Sequence, residues 1–371
     1  MKNKPQLIAF MNSYSHGKSG GDVVFIEIAK RIKNYNKVII TSFLGKKLCQ
    51  ENSLKGRFLI TTQESEFENV TWIYIKRIIK AFFLKLQIQK KDIFIGTSDF
   101  LPDILPIFWL KRKNKKTKWI QHVFHLIPFS RKIPFFTQRI SFVLIKQLAD
   151  LIIVDNNFLK KDLIKLGFDS KRIFVNYPGI SFNYLKSIKA ENRVGYDGVF
   201  MGQLRFSKGI FDLVEIWRLV CQEKPKARLG IIGKGNKETL IKLKKQVEKE
   251  KLEKNIDILG YLPDNIAFSI IKSSHVFVFP SHEEGFGITP LEVQSLGLPV
   301  VAWNLPVFDE VFKNGMVKVE INKKRDFSDK VIKLLRNRRL YQELSKLAMK
   351  NASQYDWDKV AEKELKIWKN N

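Results

Sequence analysis

Two glutamates, Glu284 and Glu292, stand on either side of a glycine-aromatic-glycine turn in SHEEGFGITPLEVQSLGLPVVAW, residues 281–303. Ionised carboxylates only accept hydrogen bonds, so such a pair suits a partner rich in hydroxyls. Local chemistry offers a plainer use for one of them. Thr289-Pro290-Leu291-Glu292 has the form of a capping box, with Thr289 as N-cap, Pro290 at the first helical position and Glu292 reaching back to a free N–H. Gly297 then closes a helix of about two turns, LPVVAW leaves it as an apolar strand, and Gly285 and Gly287 read as loop positions needing positive φ. The cap explains Glu292 and leaves Glu284 without a role.

A second segment carries cations. GVFMGQLRFSKGIFDLVEIW reads as a strand, a glycine turn bearing Arg205 and Lys208, and an amphipathic helix. Cations and free amides at such a turn neutralise a diphosphate, although basic turns before helices are common. Donors for phosphate together with paired carboxylates for vicinal hydroxyls suit a nucleotide sugar. Gly202, Gly233 and Tyr261, at the ends of strand-like runs in the same half, complete this donor-binding set.

Other patterns carry less. NSYSHGKSGG resembles a phosphate-binding P-loop, but Asn12 stands where the first glycine is required. It reads instead as a glycine-rich strand-to-helix turn whose Gly20 and Gly21 still present N–H groups to an anion. Asp356-Trp357-Asp358 has a spacing that holds a divalent cation elsewhere, yet its place just before VAEKELKIW favours helix capping by Asp356. The five histidines and two cysteines lack metal-ligand spacing, and no metal site is expected.

The elements that must position these residues alternate. Apolar runs (LIAFM, KVIITSF, DIFIG, KWIQHVF and DLIIVD, then GVFMG, RLGIIG, IDILG, VFVFP and PVVAW) are separated by amphipathic stretches such as VVFIEIAKRI and KETLIKLKKQVEKEK. That alternation predicts α/β domains, with parallel sheets covered by helices on both faces. The series restarts after ISFNYLKSIKAENRVGYDG, which is polar and aperiodic and reads as a linker. Two doubly wound domains are therefore expected, with ligands at the carboxyl ends of their sheets.

Composition sets limits. A chain of 371 residues with 44% apolar content is long for one core and ample for two. The longest apolar runs fall short of the roughly 20 residues that span a bilayer, and MKNKPQLIAFMN reads as a first strand rather than a signal peptide. Cys49 and Cys221 lie far apart, which points to a reducing cytoplasm. The net charge of +29 implies an anionic partner or surface. Residues 1–190 hold 34 Lys and Arg against 13 Asp and Glu, a net +21, leaving +8 for the remainder. KRKNKKTK at 111–118 is the densest cluster, and it has no interleaved aromatics for stacking bases. No RRM, KH or zinc module is recognisable, so a basic nucleic-acid-binding protein is the weaker reading and no nucleic-acid partner is expected.

SHEEGFGITPLEVQSLGLPVVA closely resembles the glutamate–seven residues–glutamate motif of retaining GT-B glycosyltransferases, the family known as glycosyltransferase family 4. GVFMGQLRFSKG is similar to that family's glycine-arginine-leucine…lysine-glycine segment, and ADLIIVDNNFLKKDLIKLGFDSKRIFVNYPGI to its domain-closing strand, helix and strand. DWDKVAEKELKIW resembles the helix that crosses back to the first domain. The second half is covered almost continuously and the first half more loosely.

The resemblance implies a GT-B fold: residues 1–185 as an acceptor-binding Rossmann-like domain, 186–350 as a nucleotide-sugar-binding Rossmann-like domain, and 351–371 as the returning helix. It implies that Glu292 accepts from ribose hydroxyls and Glu284 from sugar hydroxyls. Gly285, Phe286, Gly287 and Ile288 would line the diphosphate and sugar, and Lys208 would neutralise the β-phosphate. The family's arginine position holds Gln203, which leaves Arg205 as the nearest substitute. WIQHVFHLIP resembles the segment bearing the active-site histidine, at His125 or, one step of pattern earlier, His122. The activity implied is a metal-independent, retaining transfer of a sugar from a UDP- or GDP-linked donor to a glycan or lipid-linked acceptor. The enzyme would be cytoplasmic and peripheral on an anionic membrane. A non-transferase of the same fold, such as a nucleotide-sugar epimerase, is the alternative.

Overall fold

The computed structural model describes residues 4–13, 19–63, 70–190 and 195–371. The chain divides into two compact units, Met1–Pro178 with Trp357–Asn371, and Gly179–Asp356. Each is built on one parallel sheet.

The first sheet contains β1 (Gln6–Met11), β2 (Asn36–Thr41), β3 (Arg57–Ile60), β4 (Ile93–Gly96), β5 (Lys118–Val123), β6 (Leu151–Val154) and β7 (Ile173–Val175), in the order β3-β2-β1-β4-β5-β6-β7. The second contains β8 (Gly198–Met201), β9 (Leu229–Ile232), β10 (Ile256–Gly260), β11 (Val276–Phe279), β12 (Val300–Trp303) and β13 (Met316–Val319), in the order β10-β9-β8-β11-β12-β13. Strands such as IFIG, LIIV and VFVF are buried at every position. Helices cover both faces, and continuous apolar runs are the result. In each sheet the chain winds outward from its first strand, then returns beside that strand. The loops after β1 and β4, and those after β8 and β11, therefore run in opposite directions and open a crevice at the carboxyl edge.

The terminal helix Trp357–Asn370 belongs to the first unit, as a returning GT-B helix does. Trp357, Val360 and Trp368 join the core beneath β1. Its fully buried Glu364 accepts from Asn176 Nδ2 at 2.8 Å and meets His122 Nε2 at 3.0 Å. A buried carboxylate is tolerable only with such partners. His122, the reserve choice for the active site, thus ties this helix to β5.

Two local expectations change. The stretch read as a linker contains a helix, Phe182–Ser187, with Leu185 buried; residues 191–194 lie outside the described set. Lys111, counted among the surface cations of KRKNKKTK, is buried: its ammonium donates to Thr117 O and to Asp150 Oδ2, both at 2.7 Å. Apolar LPDILPIFWL becomes the helix Leu101–Lys113, with Pro102 in its first turn, where no N–H is needed, and Pro106 inside. Among the described residues no helix is long and apolar enough to cross a membrane.

Candidate functional site

The turn quoted at the outset is the loop after β11, and the Arg205–Lys208 turn is the loop after β8. The second sheet therefore brings both segments to its own switch point. The backbone locks them together: His282 N–H donates to Ser207 O at 2.9 Å and Ser281 Oγ donates to the same oxygen at 3.3 Å. Gly209 sits at φ 69°, and a Cβ there would lie 1.7 Å from Pro280 O. Only glycine permits this approach.

Across that seam Lys208 Nζ lies 2.5 Å from Glu284 Oε1 and 3.3 Å from Glu283 O. Both side chains are largely buried, at 15% and 11% exposure. A half-desolvated ion pair is costly unless its geometry is good, and here each charge has the other. The pair unites a cation and a carboxylate from positions 76 residues apart.

His282 supports the seam from behind. Its Nε2 lies 2.7 Å from Asp212 Oδ2, and Lys324 Nζ bridges Asp212 at 3.0 Å and Glu215 at 2.8 Å. Burial works against the Lys324 charge, but the hydrogen bonds its ammonium donates to Glu215 and Asp212, with their charges, outweigh it and raise the pKa. Sequence reasoning missed this triad. His282 was weighed only as a metal ligand, and its partners lie on two distant helices, Ile210–Glu223 and Lys324–Arg336.

The helix after the turn runs Ile288–Ser295, with Gly287 as N-cap at φ 95°. Thr289 is therefore not the cap, and Glu292 lies in the second turn, beyond reach of a capping-box role. The sharp αL bend at Gly287, pressed against Phe308 and Phe312, starts the helix early. Pro290 still sits in the first turn, where its missing N–H costs nothing. Glu292 is half-buried, one helical turn from Ile288. Phe286 is buried against Tyr355, so its backbone rather than its ring faces the loop. Gly285 does not adopt positive φ.

The other named residues are distributed as follows. Gly202 and Gly233 end β8 and β9, and a Cβ on Gly233 would lie 1.8 Å from Gly202 O. Gln203, Arg205 and Tyr261 are exposed on the same edge. His125 is exposed in the loop after β5, where Gln138 Nε2 donates to its carbonyl at 2.9 Å. Gln138 also donates to buried Asp99 Oδ2 at 2.5 Å. Burial raises the Asp99 pKa, while Gln138 and the charge of His125 draw it back. Gly20 and Gly21 open the helix Gly20–Arg31, whose free N–H end is already met by a Ser19–Asp22 capping box. Residues 14–18 of the P-loop-like stretch lie outside the described set. Asp356 immediately precedes the terminal helix and Asp358 pairs with Arg31 at 2.5 Å. Among the described residues no group of three His, Cys, Asp or Glu side chains is placed to hold a metal.

The family model for glycosyl transferases group 1 matches residues 188–351, the span holding both loops. Over that span the chain is similar to the group 1 glycosyltransferases. It is 32% identical over 168 residues to the poly(glycerol-phosphate) alpha-glucosyltransferase of Bacillus subtilis (strain 168), across 43% of this chain and 24% of that protein, about a quarter of its length. It is 28% identical over 344 residues to the O-antigen biosynthesis glycosyltransferase WclY of Escherichia coli, across 85% of this chain and 89% of that one. Anabaena Alr3699/HepE in complex with UDP superposes with a TM-score of 0.80 at 15% identity, covering 99% of this chain and 100% of that chain. The chain thus shares the GT-B fold of that structure, with the Lys208–Glu284 pair at the switch point of its second sheet.

Proposed function

We propose that the chain transfers a hexosyl group, with retention and without a metal, from a nucleoside-diphosphate sugar to a phosphate-linked lipid or cell-envelope glycan. It does so from the cytoplasmic side of an anionic membrane. The Lys208–Glu284 pair carries this reading. A nucleotide sugar offers each partner a replacement: phosphate oxygens for the ammonium and sugar hydroxyls for the carboxylate. Arriving donor separates the pair. Lys208, aided by Arg205 and the Gly285–Ile288 loop, with Gly202 lining the same edge, then stabilises the departing diphosphate, the role a metal fills in other enzymes. Glu284 holds the sugar and Glu292 the ribose, with Gly233 and Tyr261 beside them. His125 serves the sugar-transfer step from the first unit.

In the transfer the acceptor oxygen bonds to the anomeric carbon on the face from which the C1–O(phosphate) bond breaks. The electron pair of that bond leaves with the diphosphate, whose oxygen takes the acceptor proton. No enzyme-bound covalent intermediate is required. UDP in the Anabaena structure, and the glucosyltransferase and O-antigen names of the relatives, support a UDP-linked donor and an envelope acceptor.

Nucleotide release across a panel of UDP- and GDP-sugars, with EDTA present, tests the reading. At least one donor should release nucleotide and raise the melting temperature by mass action. Failure of every donor to do either would end the transferase assignment. Activity lost to EDTA and restored by magnesium or manganese would end the metal-free mechanism alone.

A further inference from the structure

A cavity of about 450 Å³ opens at the other switch point, between the loops after β1 and β4 of the first unit. Its floor is polar: Ser13 and Ser98 lie over Asp103, which is wholly buried. The carboxylate accepts from Asn12 N at 2.6 Å, Ser13 N at 3.0 Å and Ser98 Oγ at 2.6 Å, so it has little left to offer a ligand. The walls are mixed and more apolar than polar, with Asp22, Thr71, Tyr74 and Thr137 contributing polar atoms. Ile75 and Ile78 come from the helix Val70–Phe82, while Ile133 and Pro134 come from the start of the helix Lys132–Leu148, with Arg131 beside them.

The helix Val70–Phe82 leaves part of its apolar side uncovered. Ile73, Arg77 and Ala81 are buried, yet Trp72, Ile75 and Ile79 form an apolar stripe that is 40–56% exposed, and Phe83 just beyond is 79% exposed. Ile133 and Phe136 on the facing helix are 70% and 56% exposed. Lys76, Lys80, Arg131 and Lys132 lie among them. An apolar surface ringed by cations matches an anionic bilayer, and here it runs into a cavity of ligand size.

We infer that this cavity seats the aliphatic chain of a lipid-linked, anionic acceptor, which enters along the exposed stripe with its charged group at Arg131 and Lys132. The inference rests on the transferase reading and narrows its acceptor to an amphiphile bound chain-first in the first unit.

The test compares dodecyl phosphate, below its micelle concentration, with butyl phosphate by calorimetry. Wild type should bind the longer chain at least tenfold more tightly. Ile78→Trp, which fills the cavity, should lose that preference while keeping its melting temperature; Thr137→Trp on the opposite wall serves if the first variant is unstable. The double variant Ile79→Gln, Phe83→Gln should bind anionic vesicles more weakly yet keep dodecyl phosphate. Equal binding of both chains, an unchanged preference in both filled variants, or its loss in the surface double variant would each overturn the inference. Nucleotide release is read on the same proteins: if that persists while chain preference is absent, only the acceptor site falls.

Discussion

The two switch points of this chain have the same topology and opposite chemistry. After β8 and β11 the crevice is made of short loops pinned by backbone hydrogen bonds and glycines, and it holds an ion pair. After β1 and β4 it is a mostly apolar cavity over a saturated carboxylate. Topology dictates that each sheet has a crevice; the loop residues alone decide what it can bind. The contrast also explains the charge asymmetry. The more basic half carries the cavity and its cation-ringed rim, whereas in the second half Lys208 is paired with Glu284 and also meets the Glu283 carbonyl.

The largest effect is expected at that ion pair, where the two partners should fail differently. Lys208→Ala should cut kcat/KM about a hundredfold to a thousandfold, equivalent to ~3–4 kcal/mol, and weaken free UDP as well. Glu284→Gln should lower transfer comparably but leave UDP binding intact or tighter, because the nucleotide no longer competes with a carboxylate for Lys208. If both variants lose UDP to the same degree, the exchange of partners on donor binding is wrong. Next in size is Glu292→Gln. With the helix capped at Gly287, the substitution should cost almost no stability while lowering activity roughly tenfold to a hundredfold through one charged hydrogen bond. Normal turnover would remove Glu292 from the site.

Much of this architecture was readable in advance. Runs such as IFIG and VFVF announce two-sided burial, and their alternation with amphipathic stretches announces parallel sheets. Lys208 and the two glutamates were each singled out. What could not be read is pairing across sequence distance. Nothing local says that Lys208 meets Glu284, that His282 leans on Asp212, or that Glu364 reaches back to His122. The helix Val70–Phe82 was unreadable for a different reason: it is amphipathic, yet Trp72, Ile75 and Ile79 of its apolar side stay exposed while Arg77 is buried. Asn12 looked like a damaged P-loop. In the structure it is a buried hub, accepting from Thr61 Oγ1 at 2.6 Å and from Arg77 Nη1, through its carbonyl, at 2.7 Å.

The first switch point should also announce itself through pH. Burial pushes the Asp103 carboxyl up to about 7, against an ordinary value of 3.8, despite the hydrogen bonds it accepts. The folded state therefore binds more protons than the unfolded one between those values. This group's contribution to stability falls as pH rises from about 4 to 7, and its penalty is complete above that. Relative to Asp103→Asn, wild type should gain about 2 kcal/mol or more on going from pH 8 to pH 5. Parallel stability curves for the two proteins would refute the shift.

The smallest effect separates the cations of KRKNKKTK from one another. Lys113 lies over the ring of Trp109 at 3.3 Å, and Trp109 is itself exposed, so both belong to a surface that a bilayer can touch. Lys111, two residues earlier on the same helix, is held inside by Thr117 and Asp150. A basic residue near an anionic leaflet contributes about 1 kcal/mol, or roughly fivefold in binding. Lys113→Gln should therefore weaken binding to anionic vesicles about fivefold at low salt, with little effect at high salt, where charges are screened. Lys111→Gln should leave vesicle binding unchanged and instead lower the melting temperature, because it removes the ammonium that donates to the Thr117 carbonyl and leaves the Asp150 carboxylate with the Trp119 N–H but no countercharge. Cosedimentation and thermal melts on the two variants decide the matter. Equal losses of vesicle binding would mean that the cluster acts as undifferentiated charge, and the distinction drawn from burial would collapse.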